Sequence, residues 1–439
     1  MSSRIRRREF LKRTVLTGAG LSLASGPVLA KRGSSPNEKL NIGIIGTGHR
    51  AVANTNGVKS ENIVALCDVD SRFVGKASER FGKAKTYDDW RKCLEQKDID
   101  AVVISTTDHT HALIAVAAMK LGKHVYCEKP LAHSVHEARV VRETYAKYKD
   151  KIATQMGTQI HATENYRRVV ELVQSGAIGA VREAHVWCGR VGAGGEWPKK
   201  AEPVPKYLNW DLWIGPAPAR HYSSKVLPRT GDWNCMAWNR YWDYEQGTIG
   251  DMGSHLIDLP FWALDLRDPT SAEGKGTPVS PETCSRWLIA TWEHPARGNR
   301  PAVKVTWYDA DKRPKSPKGH DLSKWGIGVL FDGDKGQLVA DYGKHILLPE
   351  EKYRDFQRPK KSIAPSLGHY KEWIHACKTG APTLCNFDYS GALIEHNLLG
   401  NVAYRVGQKL TWDAKNLKAV GCAEADRYIH REYRKGWTI

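Results

Sequence analysis

The sequence predicts an α/β N-terminal domain, a doubly wound parallel sheet, followed by an α+β C-terminal domain with a large open, mostly antiparallel or mixed sheet. Three observations lead there. Over residues 41–156, short β-branched runs alternate with helical stretches, the pattern of parallel strands buried on both faces. The first run, Asn-Ile-Gly-Ile-Ile at residues 41–45, breaks into Gly46-Thr47-Gly48-His49-Arg50-Ala51, a tight turn that opens a helix. Beyond residue 158 the texture changes to short alternating strands with few helices between them. A chain of 439 residues with 41% hydrophobic content is long enough for two or three domains.

The first thirty residues stand apart from that fold. Arg7-Arg8-Glu9-Phe10-Leu11-Lys12 follows a twin-arginine export pattern. A mildly apolar segment from Val15 to Leu29 follows, and Val28-Leu29-Ala30 offers a cleavage site. Residues 1–30 are therefore read as an export signal, with the twin-arginine machinery as a partner and the periplasm or another exported location as destination. That route carries folded proteins, so a cofactor loaded beforehand and held tightly is the consistent expectation. Residues 31–38 form a short polar linker.

Residues 39–158 make the nucleotide-binding domain. Gly46 lets the chain turn, Gly48 lets the backbone approach a pyrophosphate, and small Ala51 lets helix and strand pack closely. With Thr47, His49 and Arg50 they form the expected phosphate site of a Rossmann domain. A second strand, Asn62 to Asp70, places Asp68 twenty residues past Gly48, where a carboxylate accepts the adenosine ribose hydroxyls. Asp68 favours NAD over NADP, although Arg72 nearby leaves NADP open. Helices are expected over Ser71–Phe81 and from Tyr87 onward, then a strand from Asp100 to Ser105. The loop Thr106-Thr107-Asp108-His109-Thr110-His111 precedes an apolar helix, Ala112–Leu121; Thr106, His109 and His111 are cofactor candidates, with helix capping the alternative for the two histidines. Strand Lys123–Cys127 ends in Glu128-Lys129-Pro130, helix Ser134–Tyr148 follows, and strand Ile152–Met156 completes a set of five. Ligands bind such sheets at the carboxyl ends of the strands, where Asp68, Thr106–His111, Glu128 and Lys129 all lie.

Residues 159–439 form the second domain. Helices are expected at Glu164–Ser175, His255–Leu264, Tyr370–Thr379 and Tyr389–Gly407. Strands are expected at Arg182–Cys188, Ser285–Trp292, Val303–Tyr308, Gly326–Phe331, Gly336–Asp341 and His345–Leu348. Tryptophans 197, 233, 238 and 242 crowd one connection, to stack on sugar faces or to fill core.

The glycine turn, Asp68, the stretch T-T-D-H-T-H-A, Glu128-Lys129-Pro130 and, downstream, Gly250-Asp251-Met252-Gly253-Ser254-His255-Leu256-Ile257-Asp258 resemble the glucose–fructose oxidoreductase/inositol dehydrogenase/rhizopine-catabolism (Gfo/Idh/MocA) family. The resemblance runs through both halves in the family's order. It implies an NAD(P)-dependent oxidoreductase acting on a carbohydrate or polyol, and an open sheet face that makes the protein a dimer or tetramer. It also implies sugar contacts at the start of the second domain, where Gln159, His161, Asn165 and Tyr166 stand.

Oxidising a carbinol needs a proton acceptor and a cation for the developing alkoxide. Lys129 is the candidate cation. Asp251 and His255, spaced i, i+4, share one helix face. His255 is the candidate base, Asp251 its orienting carboxylate or a substrate ligand, and Asp258 a further hydroxyl-binding group; the family's matching lysine, aspartate and histidine form its catalytic set. Two other outcomes stay open: transient oxidation that recycles NAD during glycoside cleavage or sugar-to-sugar exchange, and a non-catalytic sugar-binding protein.

Composition narrows the partners. Of the net charge of +18, the leader's six Arg/Lys and one Glu account for +5, leaving +13 spread along the chain without a nucleic-acid motif. No nucleic-acid partner is expected. The nine cysteines have no C-x-x-C spacing, so neither a metal site nor a regular disulfide framework is expected.

Overall fold

The first apolar run becomes β1 (Asn41–Ile45), at the centre of a six-stranded sheet with β2 (Asn62–Cys67), β3 (Lys85–Tyr87), β4 (Ala101–Ile104), β5 (His124–Cys127) and β6 (Thr154–Met156). The computed structural model describes residues 38–192, 194–227 and 237–439; the expected export signal and Trp233 lie outside them. The strand order is β3-β2-β1-β4-β5-β6, every pair parallel. The order reverses between β1 and β4, so a crevice opens at the carboxyl ends of those two strands. Ile42, Ile44, Val102 and Val103 are buried, as strands covered on both faces require.

Local chemistry fixes the helix starts. The Asp70 and Asp89 carboxylates accept the second amide of helices Ser71–Ser78 and Trp90–Leu94, and Ser134 with Glu137 forms a capping box for helix Val135–Tyr148. Strand β3 was not expected. Its three residues, Lys-Thr-Tyr, are largely exposed at the sheet edge and carry no apolar pattern.

The second sheet has nine strands: β7 (Val181–Cys188), β8 (Ser271–Gly276), β9 (Leu288–His294), β10 (Val303–Asp309), β11 (Ile327–Gly333), β12 (Gln337–Ala340), β13 (His345–Leu348), β14 (Leu410–Asp413) and β15 (Lys418–Val420). Their order is β13-β12-β11-β7-β10-β9-β8-β14-β15, and only β7 with β10 is parallel. Six of them match expected strands. Polar, glycine-bearing β8 and the short β14 and β15 were missed. The expected helix His255–Leu264 is instead two helices, Gly247–Leu256 and Asp258–Ala263. Three glycines hide the first from propensity, and Gly253 sits tightly against a neighbour: a Cβ there would stand 3.0 Å from Asn397 Nδ2.

The halves share their core. Trp373 and Ile374, on helix His369–Thr379, pack with Leu40, Ile42 and Ile44 beneath the nucleotide sheet. Among the described residues, eight cysteines are buried free thiols.

Candidate active site

The glycine turn is held by main-chain geometry. Gly46 has φ +85°, donates its N–H to the Cys67 carbonyl (2.8 Å), and has no room for a side chain, since a Cβ would lie 2.5 Å from Ser105 O. Asp68, one residue past β2, accepts the Thr47 amide (2.7 Å) and hydroxyl (3.2 Å) and the Asp70 amide (3.0 Å). Burial pushes its carboxyl up in spite of these donors. The Phe73 ring takes the close approach that Gly48 permits, 2.8 Å from a Cβ built there, and meets the His49 ring edge-on at 5.0 Å. Arg50 lines the cavity beside the turn, and its guanidinium bonds Glu128 (2.9 Å), Gln159 (3.4 Å) and the Tyr370 hydroxyl (3.4 Å).

A cavity of about 540 Å³ runs along the crevice from this turn. Asp68, Asp70, Asp88 and Trp90 line one end; Thr106, Asp108, Glu128, Lys129 and Asp251 line the other. Its volume is that of a cofactor pocket. The turn, the N-terminus of helix Arg50–Val58 facing it and the acids at the ribose end fit a dinucleotide.

A segment outside the nucleotide sheet covers the acidic end. Asn209 N–H donates to Val69 O (2.8 Å) and Ser71 N–H to Tyr207 O (2.9 Å), so this stretch adds a bridge beside Asp70. Arg72 grips Asp70 with two nitrogens (3.0 and 2.7 Å) and stacks 3.6 Å over the Tyr207 ring. Leu208, Trp213 and Trp238 line the cavity from this side. Chain from the far C-terminal region fastens the cover. Arg434 bonds the Asp211 carboxylate and the Gly215 carbonyl, Arg431 donates to His109 O (2.6 Å) and forms an ion pair with Glu137 (2.8 Å), and the Trp437 and Trp90 ring centroids lie 6.5 Å apart.

At the other end, Lys129 Nζ bonds one Asp251 carboxylate oxygen and Arg190 the other. Burial opposes the Asp251 charge, but the ammonium and guanidinium outweigh it and hold its pKa down at about 2. His255 Nδ1 faces Thr158 Oγ1 (3.1 Å), whose proton goes to Ser254 O (2.9 Å), so Nδ1 carries the imidazole hydrogen and Nε2 is the basic nitrogen. Burial, and then the Lys129 charge, lower the His255 pKa to about 3. His255 does not line the cavity.

Several expected site residues are elsewhere. Asn165 fastens the turn between β12 and β13, donating to Asp341 O (2.8 Å) and Lys344 O (3.1 Å). Tyr166 is buried and donates to the His255 carbonyl (2.9 Å). Asp258 is buried between His161 (2.9 Å) and the Tyr389 hydroxyl (2.6 Å). His109 is core, its Nε2 3.1 Å from Trp213 O. His111 touches the cavity but ties Pro130 O (2.7 Å) to Thr106 O (3.1 Å). Gln159 accepts from Arg50 (3.4 Å) and does not line the cavity. Trp197 and Trp242 are packed and Trp238 faces the cavity. Arg190, Asp108 and the cover were missed; only Asp108, inside the T-T-D-H-T-H loop, left a signal.

Two models of one oxidoreductase family match the chain, its NAD-binding Rossmann fold over residues 40–156 and its C-terminal alpha/beta domain over residues 168–295, together more than half of it. Inositol 2-dehydrogenase of Salmonella paratyphi B is 33% identical over 148 residues, which are 33% of this chain and 43% of that enzyme. A glycosyl hydrolase family 109 protein of Solibacter usitatus is 36% identical over 149 residues, 30% of this chain and 34% of that protein. The chain thus spans less than half the length of these curated relatives. The fold likeness extends further: GenD2 from gentamicin A biosynthesis, solved in complex with NAD, matches with a TM-score of 0.58 at 17% identity, over 88% of this chain and 100% of that one. The chain belongs to the Gfo/Idh/MocA oxidoreductase family.

Proposed function

We propose that the protein is an NAD-dependent oxidoreductase that oxidises a hydroxyl of a sugar or polyol. The observation that carries this is the Lys129–Asp251 ion pair, set at the end of β5 in a cavity that begins at the glycine turn. Bound NAD would supply the hydride acceptor. Gly46, Thr47 and Gly48 would hold its phosphates and Asp68 its ribose. Arg72 is occupied by Asp70 and Tyr207, which favours NAD over NADP. Lys129 stabilises the developing alkoxide, and Asp251 with Arg190 fixes the ammonium in place. His255 is neutral, the form a base needs, but an imidazolium with a pKa of about 3 keeps a proton poorly at neutral pH. Mass spectrometry of the dinucleotide released on denaturation, followed by a screen of myo-inositol, levoglucosan and common hexoses for reduction of the nicotinamide, tests the reading. Protein that carries and binds no dinucleotide would sink it.

The fastened cover favours a second reading, in which NAD stays resident and is recycled within each turnover, as in glycoside cleavage through transient ring oxidation. The resemblance to a family 109 glycosyl hydrolase points the same way. Product formed without added NAD and without net nicotinamide reduction selects it. The Arg7-Arg8 export pattern supports a protein that leaves the cytoplasm already loaded.

A further inference from the structure

Beside Lys129 stand two acids that none of these roles uses. Asp108 lines the cavity with Thr106 and Thr107 and is 8% exposed. Its neighbour Glu245 is fully buried, and neither carboxyl oxygen makes a hydrogen bond of ordinary geometry among the described residues. Its place is made by a missing side chain: a Cβ on Gly250 would come within 2.3 Å of a Glu245 oxygen. The acid is thereby admitted against the helix turn that presents Asp251.

Burial penalises an ionised carboxylate, and two adjacent carboxylates do not readily ionise together. Burial pushes Asp108 well up, opposed first by the Lys129 ammonium, and the charges of Asp251 and Glu128 raise it further. Burial also pushes Glu245 well up, followed by Asp108 and Asp251, with Lys129 opposing. Cys284 packs against the Glu245 backbone (3.7 Å) and supplies no charge, since burial raises its thiol too. The other acceptors at this end, Asp251 near 2 and His255 near 3, hold protons poorly.

We infer, on the oxidoreductase reading, that Asp108 is the catalytic residue that takes the hydroxyl proton and that Glu245 is a positioning residue sharing one proton with it. At rest Asp108 is the carboxylate and Glu245 the acid. The substrate O–H bond breaks, the proton joins an Asp108 oxygen, and the electron pair remains on the substrate oxygen beside the Lys129 ammonium. Both acids are then neutral, the state that burial favours, until Asp108 returns its proton through the cavity.

Infrared spectra of the full chain with its dinucleotide test the shared proton. At neutral pH an un-ionised carboxyl component is expected beside that of buried Asp309, whose carboxyl lies near 7; it is shifted by deuteration, kept in Asp108→Asn and absent from Glu245→Gln, so it stands alone in the parent-minus-Glu245→Gln difference spectrum. Single-turnover reduction of bound NAD by myo-inositol and by levoglucosan tests the acceptor. Asp108→Asn should be at least about 100-fold slower at every pH, and Glu245→Gln should displace the acid limb of the pH profile by at least about one unit. No such component in the parent-minus-Glu245→Gln difference spectrum, or Asp108→Asn within about three-fold of the parent, overturns the inference. Asp108→Asn decides alone should buried Glu245→Gln fail to fold, as circular dichroism would show. If the parent reduces no dinucleotide with any sugar tried, the oxidoreductase reading has failed instead, and the band reports the shared proton independently.

Discussion

The two ends of the cavity are fixed by different physics. At the glycine turn, position comes from the main chain: a left-handed Gly46, amides bonded to Asp68, and a cover zipped to residues 69–71 through backbone hydrogen bonds. At the Lys129 end, position comes from buried charge, with Lys129, Arg190, Asp251, Asp108 and Glu245 converging from separate elements. The first kind of site tolerates changes in solvent conditions and fails when backbone geometry is altered. The second holds its shape only while each charge keeps its partner.

Four experiments break or sharpen that contrast. The largest effect is expected from Lys129→Met, which leaves Asp251 paired to Arg190: turnover should fall by about 10³-fold or more while the dinucleotide is retained, as read by mass spectrometry of the purified protein. Gly46→Ala attacks the other kind of order. A left-handed alanine 2.5 Å from Ser105 O should cost about 1–3 kcal/mol of stability and strip the dinucleotide, seen in thermal unfolding and in the absorbance of the purified protein.

Acid should separate the ends without any mutation. His255 and His369, near 3, and His294, near 4, have folded pKa values below the unfolded value of about 6.5. Below pH 6.5 the unfolded chain takes up protons that these buried imidazoles refuse, so stability falls as pH drops toward 3, by up to about 1.4 kcal/mol per unit for each. Asp251, held near 2, adds a further loss between about pH 4 and 2. The melting temperature should therefore decline below pH 6.5, the three imidazoles outweighing the raised acids Glu245 and Asp309, which act in the opposite sense; a flat curve down to pH 4 contradicts the buried neutral histidines. The smallest effect is expected from Arg434→Ala. Its carboxylate partner, Asp211, is 70% exposed, so losing the pair should cost under about 1 kcal/mol and speed dinucleotide loss only a few-fold, measured by dilution into NAD-free buffer.

The sequence made the nucleotide sheet legible because its signals are local. A β-branched run, a glycine turn and an acid twenty residues on all report on one strand and its neighbour. The Lys129–Asp251 encounter was legible only through family resemblance, since 122 residues separate the two. Asn165, Tyr166 and Asp258 misled for the opposite reason. Polar side chains near a predicted site look like ligands, yet each satisfies a buried group next door: a β-turn, the His255 carbonyl, and the imidazole of His161. The helix Gly247–Leu256 was hidden by the glycines that make room for Glu245 and Asn397, so the features that lower its propensity are those that shape the site. The cover escaped notice because its hold on residues 69–71 is main-chain pairing, which side-chain identity does not announce.

That cover also sets an order of events. The turn that would grip the phosphates is complete early in the chain, within residues 41–68, but the wall above it comes from residues 207–217 and the arginines that pin the wall from 431 and 434. A chain folded as far as helix His369–Thr379, with Trp373 and Ile374 beneath the nucleotide sheet, would present the crevice to dinucleotide before the arginines that pin the wall are in place. Loading is then an open-door process and closure a late one, so a truncation removing only residues 431–439 should still bind dinucleotide but release it freely.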